Sequence, residues 1–399
     1  MEIRILGVMT GTSCDALDAS CVRFRISKSR PLGVSEFTEE WSGSFPFPNR
    51  LKARVLTLQN NNAKFSLQEI IQLNRDLGKW YATSLTALLS EVKRDGLHLP
   101  HAIANHGQTL AHHPEQQLTC QMGDPAWIAN ETGISVISHF RNGDLAAGGQ
   151  GAPLVPLYHQ LLARKLFGSE RGVALHNLGG ISNLSVFPTR SKILAFDTGP
   201  GNLWIDQAMR HLTGGRKNLD RNGATARTGT MHLPAVKKIL ALPFFRKAAP
   251  KSIGRDQLPF SLLLQHLSSK QANCADLVAT ATEITAQSIF LAYQNEVIRK
   301  NFPLKRIVLC GGGAKNCFLV ERIQNAMGTL PVERLSDSGV AVDTVEAQAF
   351  AYLGLKALLG QPLGGPWTGA ALFGAPAQIT PSKNWRQLQS ILHGMLSQK

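Results

Sequence analysis

Four glycine-rich turns, each placed directly after a short β-like run, constrain this chain more than any other feature. They are Gly11-Thr12-Ser13, Gly179-Gly180-Ile181-Ser182-Asn183, Thr198-Gly199-Pro200-Gly201-Asn202 and Gly311-Gly312-Gly313. The runs before them are Ile3 to Met9, Val173 to Leu178, Ile193 to Phe196 and Arg306 to Cys310. Glycine lets backbone N–H groups turn toward an anion with no Cβ in the way, and a turn that opens a helix adds the positive end of the helix dipole. One such turn is weak evidence. Four of them, in both halves of the chain, read as a phosphate-handling site rather than as ordinary tight turns.

A chain of 399 residues is long for one core, so the size favours two domains. Hydrophobic content of 43% with 17% charged residues belongs to a globular protein, not a disordered one. No apolar run reaches the length of a membrane span, and the N-terminal one stops at Thr10, too short for a secretory core. The expectation is a cytoplasmic protein with no membrane partner. Six cysteines (Cys14, Cys21, Cys120, Cys274, Cys310, Cys317) form no C-x-x-C pair, which argues against a zinc site and against a disulfide framework. The net charge of +15 raises the question of nucleic acid, but the basic residues are dispersed. Their densest groups, Lys237-Lys238 and Arg246-Lys247, are short and lack interleaved aromatics. A solvated surface that draws in anionic small substrates is the better reading, with no nucleic-acid partner.

Residues 1–26 read as two strands around the first glycine turn. Apolar spacing from Leu67 to Val92 predicts a long helix over 66–94, with Ser66 as N-cap and Glu69 completing a capping box. Strands are expected at Ala102 to Asn105, Gln121-Met122 and Ile134 to Ser138, and helices at Asp124 to Glu131, Leu157 to Phe167, Cys274 to Val297 and Val345 to Leu359. The Gly- and Pro-rich stretch 146–156 is either a loop between halves or a structural linker. Glycine turns recurring in both halves suggest an α/β protein whose halves share a plan, with a cleft between them. The expected division is residues 1–140, joined by a C-terminal segment from about 360 to 399, against 141–359.

Several segments then resemble one family. They are Gly7 to Asp18, Asn105-His106-Gly107-Gln108-Thr109, Gln121-Met122-Gly123-Asp124, Gly148 to Leu154, Asn177 to Asn183, Phe196 to Asn202, Pro250 to Arg255, Gly311 to Asn316 and Glu346-Ala347. In this order, over nearly the whole chain, they look like the anhydro-N-acetylmuramic acid kinase family. The resemblance implies the two-domain sugar kinase/Hsp70/actin-like (ribonuclease H-like) α/β fold, with an interdomain cleft, a homodimer, and ATP with Mg2+ as cofactors. It implies a reaction in which ATP and water open the 1,6-anhydro ring of anhydro-N-acetylmuramic acid, phosphorylate the freed 6-hydroxyl and give N-acetylmuramic acid 6-phosphate.

Phosphoryl transfer is mostly positioning and charge stabilisation. By resemblance Gly11, Thr12, Ser13, Cys14, Asp15, Ala16, Leu17 and Asp18 form the first ATP-binding turn, Ala16 standing where the family usually has glycine and narrowing the backbone angles allowed there. Gly179, Gly180, Gly199 and Gly201 are phosphate-side turns, and Gly311, Gly312 and Gly313 face the nucleotide. Asp15 and Asp197 are the candidate magnesium partners. Asp18 serves equally well as a magnesium partner or as a hydrogen-bond acceptor closing its hairpin. His106, Gln108, Arg141 and Gln150 are assigned to the sugar, and Arg141, Lys251 and Arg255 are alternative partners for its lactyl carboxylate or for phosphates.

One position departs from the pattern. The family reads Asp-Phe-Arg before Gly148-Gly149, and that aspartate is the base that activates water; here the run is His139-Phe140-Arg141. Imidazole accepts a proton at neutral pH, yet it does not supply the negative charge that stabilises a sugar ring turning positive. Glu346 and Asp144 are the carboxylates in line to compensate, with Asp124 behind them. The readings are an active kinase, a pseudokinase that binds nucleotide or cell-wall sugar, and a kinase for another sugar.

Overall fold

The structure, a computed structural model, describes residues 1–11, 14–27, 33–59, 65–168, 172–187, 192–254, 257–340, 342–371 and 377–397. The chain divides into two compact units, Met1–Tyr158 with Thr344–Lys399, and His159–Asp343. Segments 141–158 and 344–359, assigned by sequence to the second half, belong to the first unit. The reason is visible in the helix Val345–Leu358, whose Ala347 and Ala351 lie against Gly7 in the middle of the first strand.

In the first unit the strands are β1 (Glu2–Thr10), β2 (Ala16–Ile26), β3 (Val34–Pro46), β4 (Ala102–Asn105), β5 (Gln108–His113), β6 (Leu118–Met122) and β7 (Val136–Ser138). In the second they are β8 (Val173–Leu178), β9 (Ser182–Val186), β10 (Leu194–Gly199), β11 (Arg306–Cys310) and β12 (Val332–Arg334), and β13 (Gln378–Thr380) returns to the first. The first sheet runs β3-β2-β1-β4-β7 with β13 outside, and the second runs β10-β9-β8-β11-β12. In each, the first three strands in chain order form an antiparallel meander and the next two lie parallel to the first. Two halves with one strand order are the shared plan expected from the sequence, in the ribonuclease H-like arrangement. The β5–β6 hairpin stands apart as its own two-stranded sheet.

Local signals account for the helices. Ser66 caps Leu67–Arg94 with the reciprocal Glu69 bond, and its buried stripe runs Leu73, Leu77, Tyr81, Leu85, Leu88, Val92. The helix Ala275–Tyr293 is buried along most of its length and sits in the core of the second unit with Trp204, Phe196 and Ile307. Such all-round apolarity marks a helix covered on several sides. Among the described residues no helix is long and apolar enough to cross a membrane.

Gly7 is where the first unit tolerates least. A Cβ there would stand 1.8 Å from the Ala347 carbonyl oxygen and 2.6 Å from the Ala351 nitrogen, both backbone atoms of the covering helix. Gly7→Ala is expected to lower the unfolding free energy by about 3 kcal/mol through overpacking. Urea denaturation checks this, and an unchanged midpoint would refute the close approach.

Candidate active site

The three glycine turns of the second unit follow β8, β10 and β11, and the structure brings them together. Asn202, just before the helix Leu203–Thr213, is the junction. Its backbone N–H donates to the Gly179 carbonyl at 2.8 Å, its Nδ2 donates to the Leu178 carbonyl at 2.9 Å, and the Leu203 N–H reaches the Gly180 carbonyl at 3.1 Å. A Cβ on Gly201 would meet the Gly179 oxygen at 2.3 Å, and one on Gly313 would meet Asn202 Oδ1 at 2.7 Å. These glycines are required by their neighbours, whereas a Cβ on Gly312 would find nothing within 4 Å. Beneath them runs a buried relay: Tyr293 hydroxyl to His176 Nδ1 at 3.2 Å, His176 Nε2 to Ser182 Oγ at 2.6 Å, Ser182 Oγ to Thr198 Oγ1 at 2.8 Å. It ties the strands that carry two of the turns. Asp197 stands at the end of β10, where its Oδ2 accepts the Ile253 N–H at 2.9 Å.

The first turn is shorter than the sequence reading drew it. Thr12 and Ser13 lie outside the described residues, as does Arg255. Cys14 is buried in the left-handed region (φ 53) and its N–H closes on the Gly11 carbonyl at 3.1 Å. Ala16, Leu17 and Asp18 belong to β2, not to the turn. Ala16 opens that extended strand opposite Pro46, a conformation any residue adopts, so the absence of glycine there restricts nothing. Asp18 pairs across with Met9 of β1, and its Oδ1 accepts the hydroxyl of Ser44, its neighbour on β3, at 2.7 Å. Asp15 is exposed, its Oδ1 bonded by Lys52 at 2.9 Å.

In the first unit a polar network is organised by Arg141. Its Nε donates to His106 Nε2 at 3.1 Å and its Nη1 to the Gly151 carbonyl at 2.8 Å. Since His106 Nε2 accepts from a guanidinium, the proton sits on Nδ1, which donates to the Gly107 carbonyl at 2.8 Å. Burial first, and the Arg141 charge second, hold the His106 pKa well below the usual imidazole range. The Gly151 N–H donates to Asp144 Oδ2 at 2.6 Å, and the Thr368 hydroxyl donates to Asp144 Oδ1 at 2.7 Å. The Gln150 N–H reaches the Thr368 carbonyl at 2.8 Å. With both oxygens engaged, Asp144 anchors the Gly148–Gly151 loop; burial raises its pKa, against the pull of the Thr368 and Gly151 hydrogen bonds. Gln108 is fully buried on β5, and its Oε1 accepts no hydrogen bond among the described residues.

His139 follows β7 with φ 58, in the left-handed region, and its Nδ1 lies 2.9 Å from Ser138 Oγ. The ring is half-buried, and desolvation lowers its pKa while Asp124 pulls it back up. Glu346 occupies the first turn of Val345–Leu358, half-buried.

A model of the anhydro-N-acetylmuramic acid kinase family matches residues 3–375. The chain belongs to that family. Two relatives named anhydro-N-acetylmuramic acid kinase, from Saccharophagus degradans and Idiomarina loihiensis, are each 37% identical to it, over 90% of this chain and 93% of the first relative, and over 88% and 91% for the second. Among solved structures, the (R)-2-hydroxyglutaryl-CoA dehydratase component A of Acidaminococcus fermentans is similar with a TM-score of 0.41 at 11% identity, covering 88% of this chain and 97% of that one. As a member of the anhydro-N-acetylmuramic acid kinase family, the chain is an enzyme of the sugar kinase class that uses ATP.

Within this kinase, the structure places His106, Arg141, Gln150 and Asp144 in one hydrogen-bonded assembly. Thr368 and Asn202 are the residues that sequence reasoning missed as organisers. Thr368 lies in Gly364-Gly365-Pro366-Trp367-Thr368-Gly369, whose glycine content was a usable signal. A Cβ on Gly364 would stand 1.6 Å from Asp144 Oδ1, so that segment packs directly on the carboxylate. Among the described residues no group of three or more His, Cys, Asp or Glu side chains is placed to hold a metal by itself.

Buried neutral imidazoles give the protein an acid-sensitive fold. Burial pushes His159 down to about 4 and His176 to about 3; burial and then the Arg141 charge push His112 to about 4. His106 moves the same way. Each ring binds a proton more readily in the unfolded chain, so stability is full above the ordinary value of about 6.5 and is lost as pH falls below it. The melting temperature is expected to drop steadily from pH 7 to pH 5, and a flat profile over that range would contradict the buried neutral assignment.

Proposed function

We propose that this kinase uses ATP and water to open the 1,6-anhydro ring of anhydro-N-acetylmuramic acid, yields N-acetylmuramic acid 6-phosphate in cell-wall recycling, and turns over slowly because His139 replaces the aspartate of the family pattern. The observation that supports the reading is a family match over residues 3–375, together with an Arg141 assembly built around His106 and a histidine at position 139. The same resemblance implies a homodimer in the cytoplasm.

The groups divide as follows. Gly179, Gly180, Gly199, Gly201 and Gly311 to Gly313 present backbone to the nucleotide, with Gly11 to Asp15 as a further phosphate turn. Magnesium carried on the nucleotide would neutralise charge on the phosphates; Asp15 in the first unit and Asp197 in the second are each a candidate to hold it. Gln108 Oε1, a buried acceptor without a partner, suits a sugar hydroxyl or amide N–H. His106, fixed neutral, and Arg141, held at two points, form a rigid wall for the sugar, and Gln150 joins it.

In the reaction the water oxygen bonds to the anomeric carbon as the bond from that carbon to O6 breaks. O6 takes the γ-phosphoryl group as the bond to the β-phosphate oxygen of ADP breaks, and the water proton passes to His139. The tautomer required is Nδ1–H, with Ser138 Oγ 2.9 Å away as its acceptor, which leaves the His139 Nε2 lone pair to take the proton. Its lowered pKa keeps the ring uncharged at neutral pH. A neutral ring accepts the proton and leaves the developing positive charge on the sugar unbalanced. Glu346 is the carboxylate assigned to offset it in part; Asp144, with both oxygens engaged, supports the loop instead.

A binding role without turnover is the second reading, favoured by the same missing carboxylate. His139→Asp decides between them. Aspartate tolerates the left-handed backbone of residue 139, so the exchange requires no rearrangement. Steady-state assays with anhydro-N-acetylmuramic acid are expected to show slow native turnover and a kcat raised on the order of a hundredfold in His139→Asp. The native rate is expected to fall as pH drops below the histidine range, while His139→Asp stays active further into acid. No native turnover with sugar and ATP still bound supports the binding role. A native rate unaffected by His139→Ala would remove His139 from the mechanism.

A further inference from the structure

The second unit holds a cavity of about 280 Å³ between the segment Phe245–Lys251 and the end of the long helix at Leu291–Arg299. Arg246, Lys247, Lys251 and Arg299 line it, against a single carboxylate, Glu296, which is bonded to Lys300 at 2.6 Å. Lys251 is the unusual member. It is only 4% exposed, and its ammonium donates one hydrogen bond, to the Phe244 carbonyl at 3.2 Å. The rest of its surroundings are the rings of Phe244 and Phe196, with centroids 4.8 and 5.6 Å away. An ammonium carries three donors, and burying one with two of them unanswered is costly unless an acceptor arrives. Among the described residues no carboxylate is bonded to it, and burial lowers its pKa despite the pull of Glu296 and Asp197. Arg299 is held along the rim by Asn295 Oδ1 at 3.0 Å.

We propose that this cavity is an anion site for a phosphate group, with Lys251 at its floor and Lys247, Arg246 and Arg299 at its rim. The volume admits a phosphate and a small ester substituent and excludes a nucleotide triphosphate. Its occupancy has a route to the chemistry, because the Lys251 carbonyl accepts the Asp197 N–H at 3.1 Å, at the strand end that carries the Gly199 turn. A phosphate on Lys251 therefore steadies the backbone of Asp197. The proposed reaction gives none of these side chains a role; the resemblance had set Lys251 among the alternative partners for a lactyl carboxylate or a phosphate.

The test is calorimetric titration of the full chain with inorganic phosphate, and separately with glucose 6-phosphate, while a non-hydrolysable ATP analogue saturates the nucleotide turns. Binding is expected in both titrations, weakened at least about tenfold by Lys251→Met through loss of a charge-assisted hydrogen bond. Arg299→Gln, at an exposed rim position, is expected to weaken it severalfold and covers the case in which Lys251→Met does not fold. Amide exchange at Asp197 is expected to slow when phosphate is added to the native protein. Tighter binding of the ester identifies a phosphorylated metabolite as the occupant, and equal binding identifies free phosphate. Absence of phosphate binding with the analogue bound, or affinity unchanged in both variants, overturns the proposal.

Discussion

Backbone packed directly on backbone, where a Cβ has no room, is the constraint on which the rest of this structure depends. Gly7 lets the helix Val345–Leu358 settle on β1, which draws residues 344–399 into the first unit. Gly201 against Gly179 and Gly313 against Asn202 pull three strand ends of the second unit to one point. Such contacts hold only at short range and only for one arrangement, because a packed interior does not absorb even a methyl group. Turns fixed this way keep their backbone in one conformation with no further ordering needed.

The polar groups beneath the site follow a second rule: a buried donor or acceptor is satisfied or it is functional. Arg141, His106, Gly151, Asp144 and Thr368 satisfy one another in sequence, and Tyr293, His176, Ser182 and Thr198 do the same in the other unit. Gln108 Oε1 and the Lys251 ammonium stand outside this economy, and each borders a place where a ligand would complete it. His139 is different again. Its left-handed backbone is one that histidine, with asparagine and aspartate, tolerates better than most side chains.

Much of this was legible beforehand. The Ser66 and Glu69 capping box is local, made by residues three apart, and the helix after it begins and ends at the residues the spacing predicts. The strands before each glycine turn are equally local. By contrast β3 (Val34–Pro46) alternates poorly, being half-exposed and rich in Ser and Glu, and only pairing with β2 defines it. Asp18 reads the same as a metal partner or a hairpin acceptor until Ser44 is seen beside it. Asp144 reads as a spare base until Thr368, distant in sequence, is found on its second oxygen.

By itself the sequence determined the family, the glycine turns, the longest helices and the histidine at position 139, because these reside in residue identity and short-range spacing. The tertiary structure alone decided which unit owns 141–158 and 344–359, that Ala16 to Asp18 are strand, that Asp144 is an anchor, and that Lys251 is buried against aromatic rings. Those outcomes depend on contacts between residues far apart in the chain, and a hydrogen bond or a steric limit has no meaning until both partners are in place.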